Sequence, residues 1–352
     1  MKKNLILAIA ATTAVSFTSC SDDDEKTYNE QGVYVLNEGS WNGSNASFGY
    51  YDEENDKCRV TASLGDTGSD LVKDGDTFYA AFNGSNKVLA MDKAGNVLHT
   101  YSVQQPRQLA LHGGKLYVSS FTGGEDGRGS VTEFDIASAQ ATRSVSVSYE
   151  PEGLVFDHNQ LYVANSCGLH LDKASEAYIS VISLDTFKET SRIDVAVNTE
   201  YMQVDNLGRI WVTSRGNYAD QPSRLFMLER DAAGKMAVAK TYDFPVSNMA
   251  LTNNTLYYYA SSWNNATSSY EIAYGTIDLN TLQKSASFLT SAQASAITTP
   301  SGIAVQQSTG RIFISDAKDY TGAGAVYCFS RDGALLWQQP TGVCPGHLVA
   351  TN

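Results

Sequence analysis

The residues of this chain best suited to chemistry are aromatics set beside amides in short stretches rich in Gly, Ser and Asn. They are Asn37-Glu38-Gly39-Ser40-Trp41-Asn42, Phe82-Asn83, Ser120-Phe121-Thr122, Asn165-Ser166, Arg215-Gly216-Asn217-Tyr218, Ser262-Trp263-Asn264 and the stretch 316–320, which ends in Tyr320. An aromatic ring in such a stretch keeps one face toward solvent and offers apolar area at low entropic cost, while amides add directional hydrogen bonds. That chemistry is recognition of a ligand. Asn37, Trp41, Phe82, Phe121, Asn165, Arg215, Tyr218, Trp263 and Tyr320 are the candidate ligand contacts. Trp41 and Trp263 have a second reading as covers over the ends of the elements behind them. Arg215 has one too, an exposed pair with Asp220 worth about 0–1 kcal/mol.

Signatures of catalysis are sparse. The histidines at 99, 112, 158, 170 and 347 lie far apart, and none forms H-x-x-x-H or H-E-x-x-H. There is no G-x-S-x-G elbow, and the glycine-rich stretch Thr122-Gly123-Gly124-Glu125-Asp126-Gly127 has no lysine with which to cradle a phosphate. It reads as a flexible loop.

The elements that must position these loops are written in a repeat. Val33-Tyr34-Val35, Phe78-Tyr79-Ala80, Leu116-Tyr117-Val118, Leu161-Tyr162-Val163, Ile210-Trp211-Val212, Leu256-Tyr257-Tyr258 and Ile312-Phe313-Ile314 are copies of one apolar triplet, each leading into a polar loop. Their central aromatics recur roughly every 40 to 55 residues, the length of a four-stranded propeller blade. A shorter apolar stretch precedes the later copies, often after a proline such as Pro106, Pro151 or Pro300. Two alternating strands follow the triplet, as in 179–184 and 191–195, joined by a turn at Asp185-Thr186. Four strands per repeat and seven repeats predict an all-β, seven-bladed propeller spanning residues 32–352. The first triplet has no inner strand before it, and Pro345-Gly346-His347-Leu348-Val349-Ala350 has no triplet after it. The last strand should therefore complete the first blade and close the ring, removing an exposed edge.

In such a ring, Glu38, Glu152, Asn165, Asp205 and Asp316 have the chemistry to gather around a divalent cation at the channel mouth, as in propeller hydrolases and lactonases. Their offsets within the repeats are inconsistent. Two carboxylates must converge for acid–base work, and the sequence gives no sign that they do. The chain therefore reads as a non-enzyme without a catalytic or metal site.

The formal charge of −13, with no basic cluster, argues against a nucleic-acid partner. Residues 1–19 have the form of a lipoprotein signal peptide: Lys2-Lys3, an apolar run over 5–17, then Ser19-Cys20, with Cys20 the site of acylation. Plain secretion is the alternative. Residues 20–31, with acidic Asp22-Asp23-Asp24-Glu25, would be the acylated cysteine and a solvated tether. Cys58, Cys167, Cys328 and Cys344 remain, an even number in an oxidising compartment, open to three disulfide pairings or to none. A bridge between Cys328 and Cys344 would reinforce the closing strand.

Gly32-Val33-Tyr34-Val35-Leu36-Asn37-Glu38-Gly39-Ser40-Trp41, followed by Asn45-Ala46-Ser47-Phe48-Gly49-Tyr50-Tyr51-Asp52, resembles the YncE-like surface lipoprotein propellers of the Bacteroidetes. Within them it resembles the cobalamin-capturing BtuG group most. The acidic stretch after Cys20 is similar to the signal that sends such lipoproteins to the outer face of the outer membrane. The resemblance implies a lipid-anchored protein on the extracellular side of that membrane, touching the membrane only through its anchor. Such a protein binds vitamin B12 or a related corrinoid, with no cofactor of its own, and passes it to a TonB-dependent outer-membrane transporter. It implies no axial histidine on the cobalt, His347 being the one candidate exception. A surface propeller that binds a glycan or a partner protein is the alternative reading, and a metal-dependent lactonase or hydrolase the third.

Overall fold

The computed structural model describes residues 32–52, 56–264 and 267–351. The proposed signal peptide, Cys20 and the tether lie outside the described residues. Seven four-stranded antiparallel sheets form the blades of a closed propeller. Each triplet of the sequence repeat sits in the second strand of its blade: Val33–Asn37, Thr77–Phe82, Lys115–Gly123, Gln160–Asn165, Ile210–Ser214, Thr255–Asn264 and Ile312–Asp316. These strands are buried on both faces because each blade packs against a neighbour on either side. That is why they read as apolar runs and not as simple alternation.

The inner strands are Gly68–Asp74, Pro106–His112, Pro151–Asp157, Thr199–Val204, Asn248–Leu251, Pro300–Val305 and Pro345–Ala350. The last of these completes the first blade, pairing Val33 with Ala350 and Val35 with Leu348. The closure is tied again beyond the strand, where Thr351 N–H donates to Gly32 O (2.9 Å) and Gly32 N–H to Thr351 Oγ1 (3.0 Å). No disulfide among the described residues takes part. Cys58, Cys167, Cys328 and Cys344 are not in disulfides, and the Cys344 sulfur instead lies 3.4 Å from Tyr320 O. The bridge considered for Cys328 and Cys344 is therefore not formed. Cys328 packs among Val33, Val35, Phe313 and Val326 in the seam between the first and last blades.

One α-helix among the described residues stands outside the repeat. The short helix Ser291–Ala296 lies between the sixth and seventh blades and is opened by a capping box of Thr290 and Gln293.

Candidate functional site

The site begins with a departure from regular pairing. Where the inner strands of blades two, three, four, five and seven enter the ring, the register to the second strand shifts, and in blade one it shifts beside Gly346. A bulge frees one or two residues from the ladder and re-aims their side chains. Second-strand hydroxyls satisfy the groups so released: Ser119 Oγ accepts from Gln108 N–H (2.9 Å), and Thr213 Oγ1 accepts from Tyr201 N–H (3.1 Å). The inner strands run so close together here that a Cβ on Gly153 would stand 2.6 Å from Glu200 O.

The freed residues include Arg107, Glu152, Glu200 and Tyr201, which meet around the propeller axis. Arg107 clasps Glu152 with two bonds of 3.0 Å, and Arg215, from the loop after the second strand of blade five, clasps Glu200 (Nη2 to Oε1, 3.0 Å). His347 stands between Glu38 (3.4 Å) and Asp70 (3.6 Å). Glu38, Arg107, Glu200, Tyr201, Arg215 and His347 line a chamber of about 380 Å³, with Ser69, Ser247, Tyr259 and Ser301 also on its wall, while Glu152 and Asp70 stand behind it.

Burial sets the proton affinities. It pushes the Glu152 carboxyl up to about 7, with the opposing pull of Arg107 partly cancelled by the charge of Glu200. Burial likewise raises Asp70. For His347, burial works to lower the value, but the hydrogen bond and charge of Glu38 and the charge of Asp70 outweigh it, so the imidazole is raised above its ordinary value. A group whose folded value is raised binds its proton more tightly when folded, so stability is lost as pH rises from the unfolded to the folded value. For Glu152 that window is about 4.5 to 7. Glu152→Gln, which keeps an acceptor for Arg107, is expected to flatten the fall in melting temperature between about pH 5 and pH 8. Calorimetric melts across that range check it, and an unchanged slope would show that Glu152 does not titrate there.

Beside the chamber opens a larger cleft of about 600 Å³, and Arg215, Ser247, Ser261 and Tyr270 line both. Its walls are the loop at 215–223 and a hairpin of ten residues per strand, Thr255–Asn264 with Ser269–Asp278. Asn217 shapes the loop: its Oδ1 accepts from Ala219 N–H (3.0 Å) and Gln221 N–H (2.9 Å), and Tyr218 takes a φ of +58° at the tip. Gly216 at φ +69° is obligatory, since a Cβ there would lie 2.0 Å from Gln221 O. On the hairpin, Trp263 and Tyr270 are directly paired residues with rings 5.2 Å apart at 74°, and they are 53% and 65% exposed.

The structure thus brings together Arg215, Tyr218, Trp263 and Tyr320, the last on the chamber wall. It separates the others. Phe82 is fully buried in the core between blades one and two. Asn37 is fully buried, donating to Ser47 Oγ (3.2 Å) and accepting from Thr341 Oγ1 (3.1 Å). Asn165 is buried too, donating to Tyr178 O and Ser180 Oγ (both 2.9 Å) and accepting from Ser148 N–H (3.1 Å). An amide on a second-strand end finds backbone groups to satisfy before it finds solvent. Phe121 lies under the Arg107 guanidinium, 4.7 Å from ring centre to Cζ, and braces it. Trp41 is exposed and lines neither space. Arg215 pairs with Glu200, while Asp220 is taken by Asn217 Nδ2 (2.7 Å).

Of the acids considered for the axis, Glu38 lines the chamber, and Glu152 is held behind its wall by Arg107. Asp205 is buried against Arg209 and Trp211, and Asp316 accepts from the Thr299 N–H (2.8 Å). Among the described residues no group of three or more His, Cys, Asp or Glu is arranged to hold a metal ion.

No protein-family model matches the chain, and no curated protein matches it. Solved structures do. A Bacteroides uniformis protein provisionally named a 6-phosphogluconolactonase is 13% identical with a TM-score of 0.64, covering 91% of this chain and 99% of its own. A quinonprotein alcohol dehydrogenase-like protein from Bacteroides thetaiotaomicron is 14% identical with a TM-score of 0.64, covering 92% of this chain and 79% of its own. The β-propeller domain of a Myceliophteria thermophila protein is 11% identical with a TM-score of 0.56, covering 77% and 87%. The likeness is one of fold alone.

Sequence reasoning missed Tyr270, Arg107, Glu200 and Asp70. Aligning the inner strands on Leu71, Leu109, Leu154, Met202, Met249, Ile303 and Leu348 would have found the axial set. The residue two places earlier is then Ser69, Arg107, Glu152, Glu200, Ser247, Ser301 and Gly346. Most of these are polar at a position where a regular strand would bury its side chain.

Proposed function

We propose that this protein is a non-enzymatic, lipid-anchored capture protein of the outer cell surface whose ligand is cobalamin or a related corrinoid, handed on to a TonB-dependent transporter. The observation that supports the reading is the aromatic-walled cleft joined to a polar axial chamber. A corrinoid is a rigid amphipathic disc with amides around its edge. Tyr218, Trp263 and Tyr270 offer apolar faces for the disc, and Arg215, Ser247 and Ser261 offer hydrogen-bonding groups for the amides. The cleft lies within the usual size range of small-molecule sites, about 300–1,000 Å³. A rigid ligand also loses little conformational entropy on binding. A glycan or a partner protein is the alternative occupant, favoured by the same perpendicular Trp263–Tyr270 pair, which is a stacking platform for any flat apolar face.

Isothermal titration of the soluble chain with cyanocobalamin in the presence of a chelator tests the proposal. Metal-independent binding at one site per chain is expected. Absence of both heat and co-elution on gel filtration would remove the corrinoid and leave the alternative. Turnover of a lactone substrate would overturn the non-enzymatic reading.

A further inference from the structure

The polar groups around the axial chamber divide into those already spent and those that are not. Three serine hydroxyls on its wall are bonded to backbone: Ser69 Oγ donates to Pro106 O (3.0 Å), Ser301 Oγ to Pro345 O (2.7 Å) and Ser247 Oγ to Ser261 O (3.3 Å). The charges are spent on one another. Arg215 clasps Glu200, Arg107 clasps Glu152 behind the wall, and His347 stands between Glu38 and Asp70. Every charge on the wall therefore has an opposite charge beside it. An entering ammonium would meet Arg107 and Arg215, and an entering carboxylate would meet Glu38 and Glu200. Burying either is costly, whereas a neutral group that forms hydrogen bonds carries no such cost.

Three neutral groups on the same wall are unspent. Tyr259 is only 4% exposed, yet its hydroxyl has no hydrogen-bond partner among the described residues. Unlike the Tyr274 hydroxyl, which is sealed inside the protein, it keeps access to the chamber. The Tyr201 hydroxyl, on the same wall, is likewise unpartnered among the described residues. Burial raises the proton affinity of both phenols, so each keeps its proton and can donate as well as accept. The third group is the side-chain amide of Gln108. Its backbone is satisfied by Ser119, whose Oγ accepts from Gln108 N–H (2.9 Å) and donates to Gln108 O (3.2 Å). The amide itself has no partner among the described residues and lines the chamber. Polar groups in such a place are normally bonded. Three of them, each able both to donate and to accept, match a ligand group with the same two capacities and no charge.

We infer that the axial chamber is a subsite for a primary carboxamide, carried on an arm of a ligand whose body fills the cleft. A carboxamide places an accepting carbonyl and a donating NH2 on one carbon without charge. Its oxygen accepts from a tyrosine hydroxyl, and its NH2 donates to the Gln108 amide oxygen. Arg215, Ser247, Ser261 and Tyr270 line chamber and cleft alike, so the arm passes from one space into the other. The inference rests on the corrinoid reading for the ligand that carries the arm, while the amide subsite rests on the chamber wall alone.

Four five-carbon probes that differ in their end groups test the subsite: pentanediamide, glutarate, 1,5-diaminopentane and pentane-1,5-diol. Binding is read by saturation-transfer NMR titration on the soluble chain. The diamide should bind at least fivefold more tightly than any of the other three. Tyr259→Phe and Gln108→Met, both close in shape to the native residues, should each weaken the diamide at least threefold without changing the melting temperature. Equal or tighter binding of glutarate, diamine or diol, or diamide binding unchanged in either variant, would overturn the inference. Cyanocobalamin measured on the same proteins keeps the two readings apart. Trp263, which is absent from the chamber wall, supplies the contrast: Trp263→Ala should weaken cyanocobalamin and leave the diamide unaffected, whereas Tyr259→Phe and Gln108→Met should weaken both. Diamide selectivity without cyanocobalamin binding would remove the corrinoid and keep the subsite, and the reverse would remove the subsite and keep the corrinoid.

Discussion

Replacing Trp263 and Tyr270 together by alanine is expected to weaken cyanocobalamin binding at least a hundredfold while leaving the melting temperature within a few degrees of the parent protein. Aromatic residues at the centre of a binding surface contribute about 2 kcal/mol or more each when truncated, and each 1.4 kcal/mol is a factor of ten. The pair stands at the outer end of the long hairpin of blade six, with most of both rings in solvent and each other as aromatic neighbours. Removing them deletes a wall of the cleft but no part of the core. The buried tyrosines of the second strand of that blade, Tyr257, Tyr258 and Tyr259, belong to separate packing clusters or to the axis and remain in place. Calorimetry on the double variant, with thermal melts as the control for folding, measures both halves. Unchanged affinity in a folded variant would take these residues out of the ligand site.

A larger effect on the fold is expected from ending the chain at Val343. That truncation removes the strand Pro345–Ala350, which pairs along the whole of Val33–Asn37 and stands in the inner ring between the inner strands of blades seven and two. It leaves the edge of a fully buried strand unpaired. Leu348 and Ala350 would be lost from the seam around Val33, Val35 and Phe313, and Val349 from the packing around Tyr34 and Leu36. The loss of Thr351 would unfasten Gly32 as well. No disulfide among the described residues holds the ring when the strand is gone. The truncated chain should show no cooperative thermal transition and should aggregate on gel filtration, whereas a synthetic peptide of residues 344–352 supplied during refolding should restore part of the transition. A truncated chain that melts cooperatively near the parent temperature would refute the closure argument.

Both predictions rest on features that differ in how far the sequence announced them. The seven triplets were legible because a strand buried on both faces must be apolar at every position, and Leu161-Tyr162-Val163 or Ile312-Phe313-Ile314 can be read without knowing what packs on them. Closure by Pro345–Ala350 was legible because a repeat with seven second strands and an orphan inner strand at the far end has one economical solution. Of the loop aromatics, those in the longest excursions, Tyr218 and Trp263, came to one cleft. Phe82 was indistinguishable from them by type and neighbours, yet it ends a strand that the first blade covers. Asn37 and Asn165 carried the composition of a binding loop, but both are the last residue of a second strand, where an amide bonds to the neighbouring strands.

The axial chemistry was the least legible part. Arg107 and Glu152 are 45 residues apart, and Glu38 meets His347 across nearly the whole length of the chain. The sequence by itself determined the blades, their number and the strand that closes them, because those follow from local hydrophobic pattern and its period. Only the tertiary structure decided which polar side chains face the axis and which are spent on the backbone. Bulges at the entrance of the inner strands turn their side chains by a local change of register, and the ring then brings residues from six blades to one point, which no local pattern encodes.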